Sequence, residues 1–267
     1  MRLLVVPIYQ SQWAYHCSTT IRPTGRLASW VAYATRKWEA LAEAKTRTWR
    51  RRLYATGTGL MDKIDYHEWF LKSVPSRGDA GDLQKMTVHY PPLLDGTQVQ
   101  AQLVQMVKER KPYHRRYLTL SCLWLPLSLS FGLVPLIPNI PLFYNLFRVY
   151  SHYKAHQGAE HLDWLLANGQ IELDAALPAL ASRADIFQAT ALTPLPEAVL
   201  HDIAHELAWS GVATDLLRAH SQVVSQLTDT NRPASPDHSS SPAADGRPHS
   251  QSSADDRSKD FKDKKQD

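Results

Sequence analysis

Four side chains spaced four apart, Arg148, His152, His156 and Glu160, are the residues of this chain best placed to do chemistry. On a helix such a series forms one slowly drifting stripe. Two imidazoles between a guanidinium and a carboxylate could relay protons, bind a cation weakly or hold a lipid phosphate. The plainer alternative is an interfacial polar face. Too few fixed ligands stand at this spacing for a metal centre, so no metal is expected. His201, His205 and Glu206 superficially suggest a zinc helix, but they lie about 200° around the helix from Val199 and Ile203, on the solvent face. Their order is also not that of a known zinc-protease motif. Cys17 and Cys122 are the only cysteines and lack metal or redox spacing. Without a Gly-rich phosphate loop, a Ser nucleophile elbow or a catalytic carboxylate pair, neither an enzyme nor a cofactor is expected.

The stripe needs a helix. Asn139 with Pro141 starts one, and helix-compatible sequence continues to about Ala167, where Asn168 and Gly169 stop it. The first two turns belong to a run from Tyr117 to Phe147 that contains no Asp, Glu, Lys, Arg or His. As one helix, at about 1.5 Å per residue, that run would exceed the roughly 30 Å core of a bilayer. Pro126, Gly132, Pro135, Pro138 and Pro141 interrupt it. The expectation is a bent apolar insert, either one tilted span or a shallow hairpin turning at Gly132 to Pro141. Lys108, Arg110, Lys111, Arg115 and Arg116 precede the run, which places that flank on the matrix side. Tyr113, Tyr117, Trp124, Tyr144 and Tyr150 suit an interfacial belt; a buried core hairpin is the competing reading.

The chain has 267 residues, 43% of them hydrophobic, with net charge +4 and a pI near 9.0, which favours anionic partners. Residues 1 to 38 contain no Asp or Glu and read like an Arg-rich, Ser-rich mitochondrial transit segment. Residues 3 to 9 read as a short strand or extended arm. Leu27 to Leu53 reads as a basic helix with interspersed Trp and Tyr, suited to a membrane surface or to RNA phosphates. Gly57 and Gly59 mark a break, and a short helix lies around Met61 to Ser73. Val99, Leu103, Met106 and Val107 define a helix leading into the basic flank. Leu195 to Leu207 and Val212 to Leu227 read as two more helices, and the Ser-, Pro-, Asp- and Lys-rich stretch from Asp229 to Asp267 reads as a disordered tail.

The segment Pro138-Asn139-Ile140-Pro141-Leu142-Phe143-Tyr144-Asn145-Leu146-Phe147-Arg148, continuing through Ser151-His152-Tyr153-Lys154-Ala155-His156-Gln157-Gly158, resembles the fungal mitochondrial K+/H+ exchange-related family. Asp215-Leu216-Leu217-Arg218-Ala219 and the opening Leu3-Leu4-Val5-Val6-Pro7 are similar to its closing and opening segments. The resemblance implies a mitochondrial inner-membrane protein that takes part in potassium and proton exchange.

The combined expectation is a mainly α, helical membrane protein with one bent apolar segment (single span or re-entrant hairpin), flanking amphipathic helices and a disordered C-terminal tail. Its regions are a basic matrix-side part over 1–111, the insert and following helix over 112–168, a helical region over 169–228 and the tail over 229–267. A self-sufficient antiporter needs several spans around a midplane site with ionisable groups, and one insert without them does not supply that. The expected function is an accessory or regulatory component of the exchange system, with Arg148, His152, His156 and Glu160 as its ion, proton or lipid contacts. Expected partners are anionic inner-membrane lipid and a protein partner or second copy, with K+ and H+ involved indirectly. The alternatives are a lipid-tethering protein without transport and, less favoured, a soluble RNA-associated protein.

Overall fold

The computed structural model describes residues 1–21, 48–81, 85–130, 140–175, 189–190 and 192–230, and scattered positions between 29 and 43. Strand β1 (Arg2–Tyr9) and β2 (Gln12–Ser18) form an antiparallel hairpin, with Arg2 opposite Ser18 and Pro7 opposite Trp13. The short strands β3 (Met86–His89) and β4 (Ile171–Asp174) add in parallel, giving the order β2-β1-β3-β4. Helices α1 (Trp49–Asp62), α2 (Tyr66–Ser73) and α3 (Arg77–Ala80) lie between β2 and β3. Parallel pairing demands a long crossover, and between β3 and β4 it is made of two long helices, α4 (Gly96–Ser130) and α5 (Ile140–Ala167). Helices α6 (Glu197–Leu207) and α7 (Val212–Thr230) follow β4.

Leu3 to Val6 and Ile8 are fully buried because β1 is covered on both faces, the situation in which a strand reads as a continuous apolar run. Leu3 and Val5, with Tyr15, Met86 and Val88, pack under α2, α4 and α5 through Phe70, Leu71, Val99, Leu103, Ala155 and Leu162. Leu4, Val6, Ile8 and Ala14 pack under α6 and α7 through Val199, Ile203, Val212, Leu216 and Val223. Expected helices are found at Val99–Val107, from Asn139/Pro141 to Ala167, and at both C-terminal positions. Gly169, at φ +62°, ends α5. His201 and His205 lie on the exposed face of α6.

The membrane-helical fold class is corrected. The chain is an α/β protein with a mixed four-stranded sheet and seven helices among the described residues, and no described helix is long and apolar enough to cross a membrane. The apolar run is divided between two arms. Its parts in α4 (117–130) and α5 (140–147) each fall well short of the roughly 20 residues a span needs. The arms pack antiparallel, with His114 against His152 and Ser128 Oγ accepting from Asn145 Nδ2 at 3.0 Å. Pro112 and Pro126 both sit inside α4, which continues to Ser130, and Gly57 and Gly59 sit inside an unbroken α1. Residues 131–139, which hold the expected turn, lie outside the described residues. So do most of the basic segment before residue 48 and the tail from residue 231; Asp229 and Thr230 belong to α7.

Beyond His114 the arms leave the sheet. Leu123 is 71% exposed, Trp124 60% and Phe143 69%, whereas Val99 and Leu103 at the sheet end of α4 are fully buried.

Candidate functional site

Helix α2 is short because Asp65 caps it, accepting from the His67 amide at 2.8 Å, and Val74, extended, ends it before Pro75. The cap aims its first turn at both arms of the helical hairpin. Asp65 meets α4, where Arg110 Nη1 donates to Asp65 Oδ2 at 2.6 Å and Arg110 Nη2 lies 3.0 Å from His67 Nδ1. Burial would raise the Asp65 carboxyl, but the hydrogen bond and charge of His67 and the charge of Arg110 outweigh it and hold Asp65 well below the usual carboxylate range.

Glu68, one turn on, meets α5. Arg148 donates to both of its oxygens, Nη1 to Oε1 at 2.8 Å and Nη2 to Oε2 at 3.2 Å, and Ser151 Oγ donates to Oε1 at 2.5 Å. The Glu68 side chain is 3% exposed, so the pair is desolvated and held by bidentate geometry. Arg148 Nη2 also lies 2.8 Å from His152 Nε2, and His152 Nδ1 lies 3.2 Å from His114 Nδ1 on α4. Both histidines are 1% exposed.

The partners determine the tautomers. A guanidinium only donates, so His152 accepts at Nε2 and carries its proton on Nδ1. That proton is donated to His114 Nδ1, which places the His114 proton on Nε2, a buried atom with no partner among the described residues. The result is a two-imidazole hydrogen-bonded chain. It ends at Arg148, which does not release a proton in proteins, so it can store a proton but not pass one through.

Both imidazoles titrate low. Burial is the main cause for each, pushing His114 and His152 down to about 4; the positive charge of Arg148 adds to this at His152, while Glu68 opposes it at both. The ordinary value, 6.5, lies above these, so between pH 6.5 and about 4 the unfolded chain binds protons that the native protein does not. The neutral pair therefore costs nothing in stability above pH 6.5, and stability is lost progressively as the pH falls to about 4. Replacing His114 and His152 together by Gln is expected to flatten the slope of unfolding free energy against pH in that window, measured by urea denaturation; an unchanged slope would assign acid sensitivity elsewhere.

The stripe expected from the sequence is split. Arg148 and His152 enter the network, while His156 Nε2 faces Glu160 Oε1 at 3.5 Å one turn further along, and Glu160 is more than half exposed. The basic flank divides as well: Arg110 pairs with Asp65, Lys111 Nζ donates to Asp163 at 2.7 Å, and Lys108, Arg115 and Arg116 are exposed. Glu68, His114 and Ser151 were not expected. The available signal was a repeated Arg-x3-His step, Arg110/His114 and Arg148/His152, facing two acids, Asp65 and Glu68, one turn apart.

Ligating atoms of Glu68, His114 and His152 lie within 4.8 Å of one another, a spacing that suits a metal ion. Arg148 already bonds both Glu68 oxygens and the His152 Nε2, so a divalent cation would have to displace a guanidinium. In this arrangement the cation of the site is Arg148.

A family model described as mitochondrial K+-H+ exchange-related matches residues 2–166, a range that contains every residue of this network. An uncharacterized protein of Schizosaccharomyces pombe is 27% identical over 183 residues, covering 65% of this chain and 78% of that protein. An uncharacterized protein of Saccharomyces cerevisiae is 33% identical over 117 residues, covering 43% of this chain and 37% of that protein. No solved structure matches. With more than half of its 267 residues matched, the chain belongs to the mitochondrial K+/H+ exchange-related family, and the two relatives it matches are fungal.

Proposed function

We propose that this protein is an accessory or regulatory component of potassium/proton exchange at the mitochondrial inner membrane, held at the membrane surface by anionic lipid and acting with a protein partner or a second copy. It is not a self-contained antiporter. The observation that carries this reading is the buried Glu68–Arg148–His152–His114 network, whose imidazole chain ends on Arg148 and offers protons no path onward. An antiporter instead needs a site reachable in turn from both sides of a membrane. Deleting the protein is expected to alter potassium-driven swelling of isolated mitochondria, while the purified chain in liposomes conducts no potassium/proton exchange. Unchanged swelling would remove the exchange role.

The second reading, lipid tethering without transport, is favoured by the exposed end of the helical hairpin. Leu123, Trp124 and Phe143 lie exposed on arms that carry no acid between residues 117 and 147, beside exposed Arg115 and Arg116. Apolar surface rimmed by cations fits an anionic lipid surface. Cardiolipin-dependent vesicle binding together with normal swelling in the deletion strain would select it.

A further inference from the structure

Trp69 and Lys72 stand three residues apart on α2 and share a face. The Lys72 ammonium lies 4.0 Å from the centroid of the Trp69 ring and 5.1 Å from that of Phe147 on α5. From α7, the Arg218 guanidinium lies 4.6 Å from the same indole. Two cations thus contact one indole where three helices meet, and Trp69, Lys72 and Arg218 are all partly exposed.

The nearby acids are committed elsewhere. Glu68 is held by two bonds from Arg148 and one from Ser151. Asp215 divides its oxygens between Arg218 Nη1 at 3.2 Å and His16 Nδ1 at 2.8 Å. Lys72, Arg148 and Arg218 against Glu68 and Asp215 make three positive charges to two negative. Among the described residues Lys72 has no hydrogen-bond acceptor, and its three donors meet only ring faces, which do not replace an oxygen. The Trp69 Nε1–H is buried and also without a partner among those residues. Burial pushes Lys72 down to about 8, with Glu68 opposing and Arg148 and Arg218 adding.

We infer that Lys72 and Arg218, which flank Trp69, form a binding site for a phosphate-class oxyanion. An ammonium and a guanidinium beside one ring suit an acceptor with several oxygens, and charge-assisted bonds from such groups are the strong kind. The flexible Lys72 stem lets its ammonium leave the ring face for the anion. Free phosphate and a phospholipid headgroup present the same chemistry, and the site stands whether or not the exchange reading does.

The test uses the full chain with two probes: inorganic phosphate followed by calorimetry, and flotation with vesicles of phosphatidylcholine with or without cardiolipin. Lys72→Gln and Arg218→Gln are each expected to weaken binding at least tenfold, and Lys72→Arg to retain it. In the unaltered protein the bound probe is expected to protect Lys72 from amine-reactive labelling, a readout that needs no variant to fold. Phosphate binding lost in the variants identifies a soluble oxyanion; cardiolipin-dependent binding alone, lost in the variants, identifies a headgroup. Binding of neither probe, or binding that survives Lys72→Gln and Arg218→Gln together with no protection of Lys72, overturns the site. No arm reads potassium flux, so failure here leaves the exchange role to the swelling assay, and an absence of cardiolipin binding would remove only the proposed attachment to anionic lipid.

Discussion

Glu68→Gln is expected to destabilise the protein by about 3 to 5 kcal/mol, the range for removing one partner of a buried ion pair. The carboxylate is 3% exposed and the Arg148 guanidinium 18%, so the cation left behind cannot recover its hydration. The amide keeps one acceptor oxygen for Arg148 Nη1 and Ser151, but its NH2 replaces the oxygen that accepts from Arg148 Nη2 and sets donor against donor, and the negative charge is gone. Much of the effect is the penalty on the orphaned cation, so Glu68→Leu combined with Arg148→Met is expected to cost far less than the two single changes added together. Urea denaturation of the four proteins of this cycle gives the coupling. Additive losses would mean that the pair is held apart or solvated in solution, and the site as described would be wrong.

Gly158→Ala is expected to cost about 3 kcal/mol, the upper part of the range for overpacking a close contact. A methyl group there would stand 2.0 Å from the Leu71 carbonyl oxygen and 3.0 Å from its carbon, so it meets the backbone of α2, which no rotamer change relieves. Ala155, Ala159 and Gly158 give α5 a small-residue face on which α2 sits, and that seat brings Glu68 to Arg148. The substitution is therefore expected to disturb the ion pair as well as the packing. Gly59→Ala is the control: a methyl group at that point of α1 would meet nothing within 4 Å, and the change is expected to stabilise by about 0.4 to 1 kcal/mol. Equal thermal shifts for the two variants would dismiss the close α2–α5 approach.

What could be read in advance depended on range along the chain. Val99, Leu103, Met106 and Val107 identify a helix face because neighbours one turn apart share a surface whatever the rest of the fold does. The start of α5 at Asn139/Pro141 and its stop at Gly169 follow from backbone chemistry confined to a few residues. β3 and β4, four residues each, are too short to show a period, and it is pairing within the sheet that begins at β1 that makes them strands.

The apolar run misled for a related reason. Hydropathy counts side chains, not their partners: the breakers at Gly132 to Pro141 leave a hairpin open as one reading, but the apolar count favours a membrane insert over two helices that pack on each other. Pro126 also fails to end α4, which continues to Ser130 with Ser128 held against Asn145 of α5.

By itself the sequence determined the helix from Asn139/Pro141 to Ala167, the helix face at Val99 to Val107, the apolar character of β1, the family and the spacing that places Arg148 and His152 on one helix face, all consequences of local periodicity and residue type. Only the tertiary structure decided that this face meets Glu68, eighty residues away along the chain, and His114 on the facing arm, and that His156 and Glu160 are left out. The α2–α5 seat at Gly158 sets those distances, and no local rule in the chain encodes a contact between helices so far apart in sequence.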